Sequence, residues 1–350
     1  MSDLCFDPTC KPGLVSVIIP MRNRSNTIRQ TLESVRAQCY RPIECIVVDD
    51  GSDDDSSAVA NDWSSRHAEP HFSIQLVSQK QSGAPRARNA GIARSQGEYI
   101  QFLDSDDALH PAKISRQVRT LEKNPAYGAS FGNWHLFEQT GERFVLYSAA
   151  RPLDREGYFL ELLQSRNFCV PHAYLWRRSS VVAIGPWDES LVADQDGDYV
   201  LRYLLLRHQL IFCSDATVYY RAGNGISARR DRLSFESRYK VLSKVFGGLV
   251  DGKWSAEHIG AVASAYRVLG TAYAFHYPKG LRRCLMEIEK IRGPLSWSRR
   301  VALVCDMYLV AGRCILGVRS RIHRMLRGYS SSGYQGASVS SVGDSLSSFH

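Results

Sequence analysis

Four short apolar runs punctuate the first hundred residues: 14–20 (LVSVIIP), 43–49 (IECIVVD), 72–78 (FSIQLVS) and 99–103 (YIQFL). Between them lie three stretches of helical character, 25–38, 56–66 and 84–94. Strand and helix alternating at this spacing predict right-handed crossover units, hence a largely parallel sheet with helices on its faces. The run from Val15 to Ile19 is almost wholly apolar, as a strand covered on both sides requires. From 108 to 221 the pattern is mixed, with apolar alternation at 126–136 and helical stretches at 156–163 and 195–207. Beyond Arg229 it turns helical, at 233–245, 257–275, 281–291 and 298–316, and a Ser- and Gly-rich composition predicts disorder over 328–350. The implied organisation is an N-terminal extension (1–13), an α/β domain (14–228), a helical region (229–327) and a tail (328–350).

In open sheets of this kind ligands sit beyond the C-terminal ends of the strands. The first run is followed by Pro20, Met21, Arg22, Asn23 and Arg24, and the second ends in Asp49 and Asp50, followed by Gly51, Ser52 and three more aspartates. The fourth leads into Asp104, Ser105, Asp106 and Asp107. Charged and polar residues therefore gather three times at one edge. On an extended or turning backbone Asp104 and Asp106 project to the same side, where they can hold one ion, or one ion and a ribose. Their hard oxygens suit Mg²⁺ or Mn²⁺, which keep other positions for phosphate and water. The plainer alternative is an acidic turn capping the helix after His110 and Pro111. Asp50 can accept the N3–H of uracil or a ribose hydroxyl, while 53–56 suits a helix cap.

VSVIIPMRNR, VVDDGSDDDS and SGAPRARNAGIARSQGEYIQFLDSDD, taken together and in this order, resemble the family 2 glycosyltransferases, whose catalytic domain has the GT-A fold. The resemblance covers 15–107 closely and continues more loosely to about Arg221. It implies that Pro20 and Arg22 border the nucleobase pocket, that Asp50 holds the base and that Arg88 lies near the nucleotide. Asp104 would reach the ribose or the metal, and Asp106 the metal that bridges the diphosphate. Gly83 and Gly91 suit a close turn and tight helix packing. The segment 185–202 (GPWDESLVADQDGDYVLR) resembles the family's catalytic stretch, making Asp196 the base with Asp198 two residues beyond; Gln195 stands where glutamate is more usual. A carboxylate at a helix N-terminus has its ionised form favoured by the dipole, which predicts a ready but weak base. Displacement by a single base inverts the anomeric centre. Relatives often carry a histidine after a Tyr-Arg pair; YYRAGNGIS has none, which leaves Arg221 and Ser227 for the phosphate. His172 is a substitute in principle, although its apolar setting (VPHAYLW) suits a core-edge histidine better.

Composition adds three constraints. The 350 residues are 44% hydrophobic and 23% charged, enough for a sizeable core, and the formal net charge of +9 favours anionic partners. Nine cysteines without a CxxC pair and an N-terminus lacking an apolar stretch predict a reduced, cytoplasmic protein. The stretch 298–327 interrupts its apolar positions with Asp306 and Arg313 and is flanked by arginines, so it predicts an amphipathic helix, either peripheral on an anionic membrane or packed on the domain. The expected partners are a nucleotide-sugar donor, probed first as a UDP-sugar, and a glycan or lipid-linked acceptor. No GxGxxG follows the first strand, which disfavours a dinucleotide oxidoreductase. The absence of glycine from PMRNRSN disfavours a nucleotidyltransferase, and basic residues without interleaved aromatics disfavour nucleic acid. A nucleotide-sugar-binding module without transferase activity stays open.

Overall fold

The computed structural model describes residues 10–67, 69–140, 143–148, 155–163, 170–221, 231–252, 254–296, 299–300 and 302–308. The expected alternation runs through β1 (Lys11–Met21), α1 (Ile28–Arg36), β2 (Ile43–Asp49), α2 (Ser56–Arg66), β3 (Phe72–Ser78), α3 (Ala84–Arg94) and β4 (Gly97–Phe102). There follow β5 (Ala108–Leu109), α4 (Lys113–Lys123), β6 (Ala129–Thr140), β7 (Arg143–Ser148) and α5 (Arg155–Leu163). A 3-10 turn (Pro171–Ala173), β8 (Tyr174–Arg177), α6 (Arg178–Ile184), α7 (Gln195–Leu205) and β9 (Leu210–Arg221) complete this region.

Strands β3, β2, β1 and β4 pair in that order, all parallel. Beyond β4 the sheet turns mixed. Strand β8 is antiparallel to both β4 and β6, β6 and β9 are parallel, and β5 and β7 pair antiparallel with β9 and β6. The parallel half matches the sequence expectation; the mixed half departs from a mostly parallel sheet. Alternation at 126–136 marks a strand, but direction and neighbours depend on the connections, which a period of two leaves open. One consequence matters for the site. Because β6 and β9 run with β1–β4 and β8 runs against them, the C-terminal ends of β1, β2, β4 and β9 share an edge with the start of β8.

The core sits on β1, where Val15, Val17, Ile18 and Ile19 are fully buried. Removing such side chains from water contributes about 1.5–3 kcal/mol each. Helix α3 comes close enough to this strand that a Cβ on Gly91 would lie 2.3 Å from Ile18 Cγ2. Helices α1 and α2 are tied by buried Trp63, whose Nε1 donates to Glu33 at 2.6 Å.

The chain divides into two compact units. The sheet above forms the first. In the second, α8 (Arg232–Asp251), α9 (Ala256–Tyr273) and α10 (Pro278–Arg292) occupy three of the stretches read as helical. Phe235 of α8 meets Tyr273 and Tyr277 edge-on, and Asp231 caps α8 by accepting from Ser234 N–H at 2.8 Å. Of the fourth stretch, 299–300 and 302–308 are helical, burying Met307 against Ala274 and Leu281; the remainder and the predicted tail lie outside the described residues. Among the described residues no helix is long and apolar enough to cross a membrane.

Gly91→Ala should lower stability by about 1–3 kcal/mol, since an added methyl must displace a fully buried β-branched neighbour. Chemical denaturation measures it, and a variant as stable as the parent would contradict the close approach.

Candidate active site

The loops after β1 and β2 are laced together. Asn23, in the left-handed region (φ 52), donates its N–H to Ser52 Oγ at 3.1 Å and accepts Asp53 N–H at 3.1 Å. Asp49 takes the Ser52 N–H and hydroxyl on one oxygen and the Ser57 hydroxyl on the other. Asp54 accepts from Ser56 N–H at 3.0 Å and from Ser25 N–H at 3.2 Å. The Ser56 hydroxyl, more than any other group, pushes the Asp54 carboxyl down to about 2. Of the 53–56 stretch expected to cap, Asp55 stands at the N-cap of α2 and makes no side-chain cap, and Asp54 meets the first helical N–H, that of Ser56. Pro20 is buried at the end of β1 and Arg22 is exposed just beyond it, both at the predicted edge.

Asp50 occupies the same edge but spends its oxygens inside the chain. Oδ1 accepts from Gln79 Nε2 and Ser82 N–H, and Oδ2 from Gly83 N–H, each at 2.7 Å. The residue is 4% exposed. Gly83, with φ +97, makes the turn that opens α3. A carboxylate offers about four acceptor positions, and three are used here. In the structure Asp50 fixes the loop that launches α3, and one acceptor position is left over for the nucleobase it is expected to hold.

Helix α3 delivers Arg88, 3% exposed, to the centre of the site. Its Nη2 donates to Asp104 Oδ1 at 2.8 Å and lies 3.7 Å from Asp196 Oδ1, and its Nη1 donates to Gln195 Oε1 at 3.1 Å. The guanidinium stacks 4.4 Å from the Trp187 ring centroid, and Trp187 in turn stacks on Tyr199 at 4.2 Å. Asn89, next in the chain, accepts Trp187 N–H at 2.9 Å and donates to Trp187 O at 3.0 Å. The ARN triplet therefore pins the segment that leads to Asp196. One cation joins two carboxylates that lie far apart in sequence.

The turn carrying Asp104 and Asp106 is held on every side. Thr27 Oγ1 donates to Ser105 O at 3.0 Å, Thr31 Oγ1 to Asp107 O at 2.8 Å, and Asp107 N–H to Asp104 O at 3.1 Å. Helix α4 begins at Ala112 with no side-chain cap, so the acidic turn is not a capping device. Asp106 pairs with Arg24 Nε at 3.3 Å; burial, then the neighbouring Asp104 charge, raises its carboxyl above the usual range.

Asp196 opens α7 beside an aromatic wall of Phe102, Tyr174, Trp176, Trp187 and Tyr199. Its Oδ1 is buried without a hydrogen-bond partner. Burial pushes its carboxyl up to about 7, with Asp104 and Asp194 adding and Arg88 opposing. The weak base expected from the helix dipole differs from the upward direction of this shift, whose largest cause is burial. Asp194, at the N-cap in the left-handed region, makes no side-chain cap.

Three secondary candidates stand elsewhere. Asp198 is buried and paired with Arg202 at 2.9 Å, one helical turn on, so it braces α7. Arg221 lies behind the acidic turn, donating from its backbone N–H to Asp107 Oδ1 at 2.7 Å and from Nε to Asp106 O at 2.8 Å, and stacking over Phe137. Ser227 lies outside the described residues. His172 is fully buried, in line with a core histidine and against a direct ligand. Sequence reasoning missed Arg24, Asn89 and Trp187 as members of the site. Arg24 and Asn89 were adjacent to recognised motif positions, whereas nothing in the sequence pattern pointed to Trp187.

A mixed sheet with its acidic loops at the C-terminal edge, flanked by helices, defines the GT-A glycosyltransferase fold. The family described as Glycosyl transferase family 2 matches residues 16–185. An uncharacterized glycosyltransferase of Rickettsia bellii is 35% identical over 154 residues, covering 44% of this chain and 19% of that protein. The chain spans between 19% and 74% of the length of such curated relatives, 63% in the case of one from Haemophilus influenzae. Among solved structures, S. aureus TarS 1-349 in complex with UDP-GlcNAc superposes with a TM-score of 0.63 at 16% identity, covering 87% of this chain and 91% of that one. The mannosyltransferase PcManGT from Pyrobaculum calidifontis, in complex with GDP-Man and Mn²⁺, gives 0.51 at 18% identity, with 90% of each chain covered.

Replacing Asp50 by Ala should release the 79–83 loop. The Ser82 and Gly83 amides are expected to exchange with solvent at least about tenfold faster, on the scale of losing one or two hydrogen bonds to a charged group. Unchanged protection would show that the carboxylate does not hold the loop.

Proposed function

We propose that this chain transfers a sugar from a nucleoside-diphosphate donor, a UDP-sugar in the first instance, to an acceptor hydroxyl with inversion at the anomeric carbon. The observation that carries the reading is the buried Arg88 guanidinium, which binds Asp104 at 2.8 Å and lies 3.7 Å from Asp196. A donor-side carboxylate and a candidate base thereby share one site at the edge where such sheets take their ligands.

Asp196 is the base. A carboxyl that titrates near neutrality can accept a proton from an alcohol while staying largely ionised just above that pH. The acceptor oxygen bonds to the anomeric carbon as its proton passes to Asp196, and the bond to the nucleoside diphosphate breaks on the opposite face. Arg88 keeps Asp196 and Asp104 in register through this step. Pro20, Arg22 and the part of Asp50 left unengaged border the nucleobase.

A divalent cation, Mn²⁺ or Mg²⁺, fits Asp106 together with Asp104. The Asp106 carboxyl is raised by burial and by Asp104, so the turn carries negative charge that Arg24 and Arg88 only partly offset. One oxygen of Asp104 is engaged by Arg88, and among the described residues no donor takes the other. Among the described residues no group of three or more side chains is placed to hold a cation by itself, so such an ion would take one or two carboxylates and complete its shell from phosphate and water. When bound, such an ion would neutralise charge on the departing diphosphate. A cytoplasmic setting, a catalytic region over 14–228, a glycan or lipid-linked acceptor in cell-surface polysaccharide synthesis, and peripheral membrane contact through the basic C-terminal helix complete the reading.

Asp196→Asn should lower transfer by about 10²–10⁴-fold, the contribution of a positioned base, while donor affinity changes less than about threefold by calorimetry. A variant that still transfers at the parental rate would remove Asp196 from the role. Because a base must be deprotonated, the parental kcat/KM should climb as pH rises through about 7 and level off above it. A profile flat between pH 5 and 8 would contradict that assignment.

A further inference from the structure

We propose that His172 and Asp107 form a buried pair that sets the acidic turn in place, making His172 a positioning residue for the donor-side carboxylates. The inference rests on the transferase reading above for its functional consequence, though not for its structural content.

Asp107 is the member of the turn that faces inward. Its side chain is 1% exposed, against 29% for Asp104 and 35% for Asp106. A carboxyl so placed is costly to bury unless donors meet it. Oδ1 receives the Arg221 N–H at 2.7 Å, whereas Oδ2 has no aligned hydrogen-bond partner. What stands opposite Oδ2 is His172 Nδ1, 3.3 Å away. The imidazole is fully buried, and both of its nitrogens also lack aligned partners. A small ring rotation converts two orphaned groups into one hydrogen bond. Satisfying both at once is worth more than satisfying either alone.

The setting fixes the ring from several directions. Its backbone carbonyl accepts from Gln101 Nε2 at 3.0 Å, and the ring stacks on Tyr220 of β9, with centroids 6.1 Å apart. Lys113 reaches the same interior, bonded to Gln101 and to Tyr174 O, and its charge opposes protonation of the imidazole. Topology explains the meeting. His172 precedes β8, which starts at the edge where β4 and β9 end, so the turn after β4, the end of β9 and His172 converge although they are distant in sequence. Burial drives the imidazole down to about 3, which favours a neutral ring hydrogen-bonded to Asp107. Through Asp107 the pair reaches Asp104, whose carbonyl takes the Asp107 N–H, and Arg221, whose Nε holds Asp106 O.

The test compares His172→Asn, whose amide occupies the place of Nδ1, with His172→Gln, whose amide reaches past it, and His172→Phe, which keeps the stacking alone. In the Gln and Phe variants the Asp107 and Arg221 amides should exchange at least tenfold faster while β1 amides stay as protected as in the parent. The affinity for UDP with Mn²⁺ should fall at least fivefold, and Asn should restore both readouts to within threefold. Should Phe fail to fold, the Asn and Gln variants decide alone. Parental exchange at Asp107 and Arg221 in the Gln variant would overturn the pair. If the parent itself binds no UDP with Mn²⁺, the transferase reading fails, and the exchange rates still decide whether the pair exists.

Discussion

A buried guanidinium between two carboxylates is the interaction on which the rest of the site depends. Arg88 is 3% exposed, and a charge at that depth is tolerated only where opposite charge and hydrogen-bond acceptors meet it. Asp104, Gln195 and the more distant Asp196 supply them, and the Trp187 face covers the remaining side. Stripping a buried pair of one partner typically costs about 3–5 kcal/mol. The same contacts therefore bind the strand-end turn to the start of α7 and hold the catalytic candidates in one frame.

Around that centre the loops do more positioning than their acidic composition suggests. Asp49, Asp50 and Asp54 each spend their oxygens on backbone N–H groups and hydroxyls of neighbouring loops. Arg221 and Thr31 act in the same way from behind the 104–107 turn. Rigid support of this kind holds a few remaining groups, Asp104, Asp106 and Asp196, whose carboxylates meet Arg88 and Arg24. The raised titration of Asp106 and Asp196 follows from burial first, with the neighbouring Asp104 charge adding to it.

The parallel half of the fold was legible because its periods are local. Apolar runs at 43–49 and 72–78 and helical stretches at 56–66 and 84–94 coincide with β2, β3, α2 and α3 to the residue. Gly83 and Gly91 kept the roles expected of them, a positive φ and a close approach. The site was legible in part: the motifs located Arg88, Asp104, Asp106 and Asp196 at one edge. It was not legible that Asp50 would turn inward, that Asp198 would pair with Arg202, or that Arg221 would brace the turn, because each outcome depends on which neighbour lies within about 3 Å.

The amino-acid sequence alone determined the order of the first strands and helices, the edge at which acidic residues gather and the likeness to family 2 glycosyltransferases, since all three are written in short-range patterns of residue type. Only the tertiary structure decided which carboxylates stay available and which are consumed as braces, and how far burial lifts Asp196 toward neutrality. Those outcomes come from desolvation and from contacts between residues about a hundred positions apart, and neither quantity has a signature in local sequence.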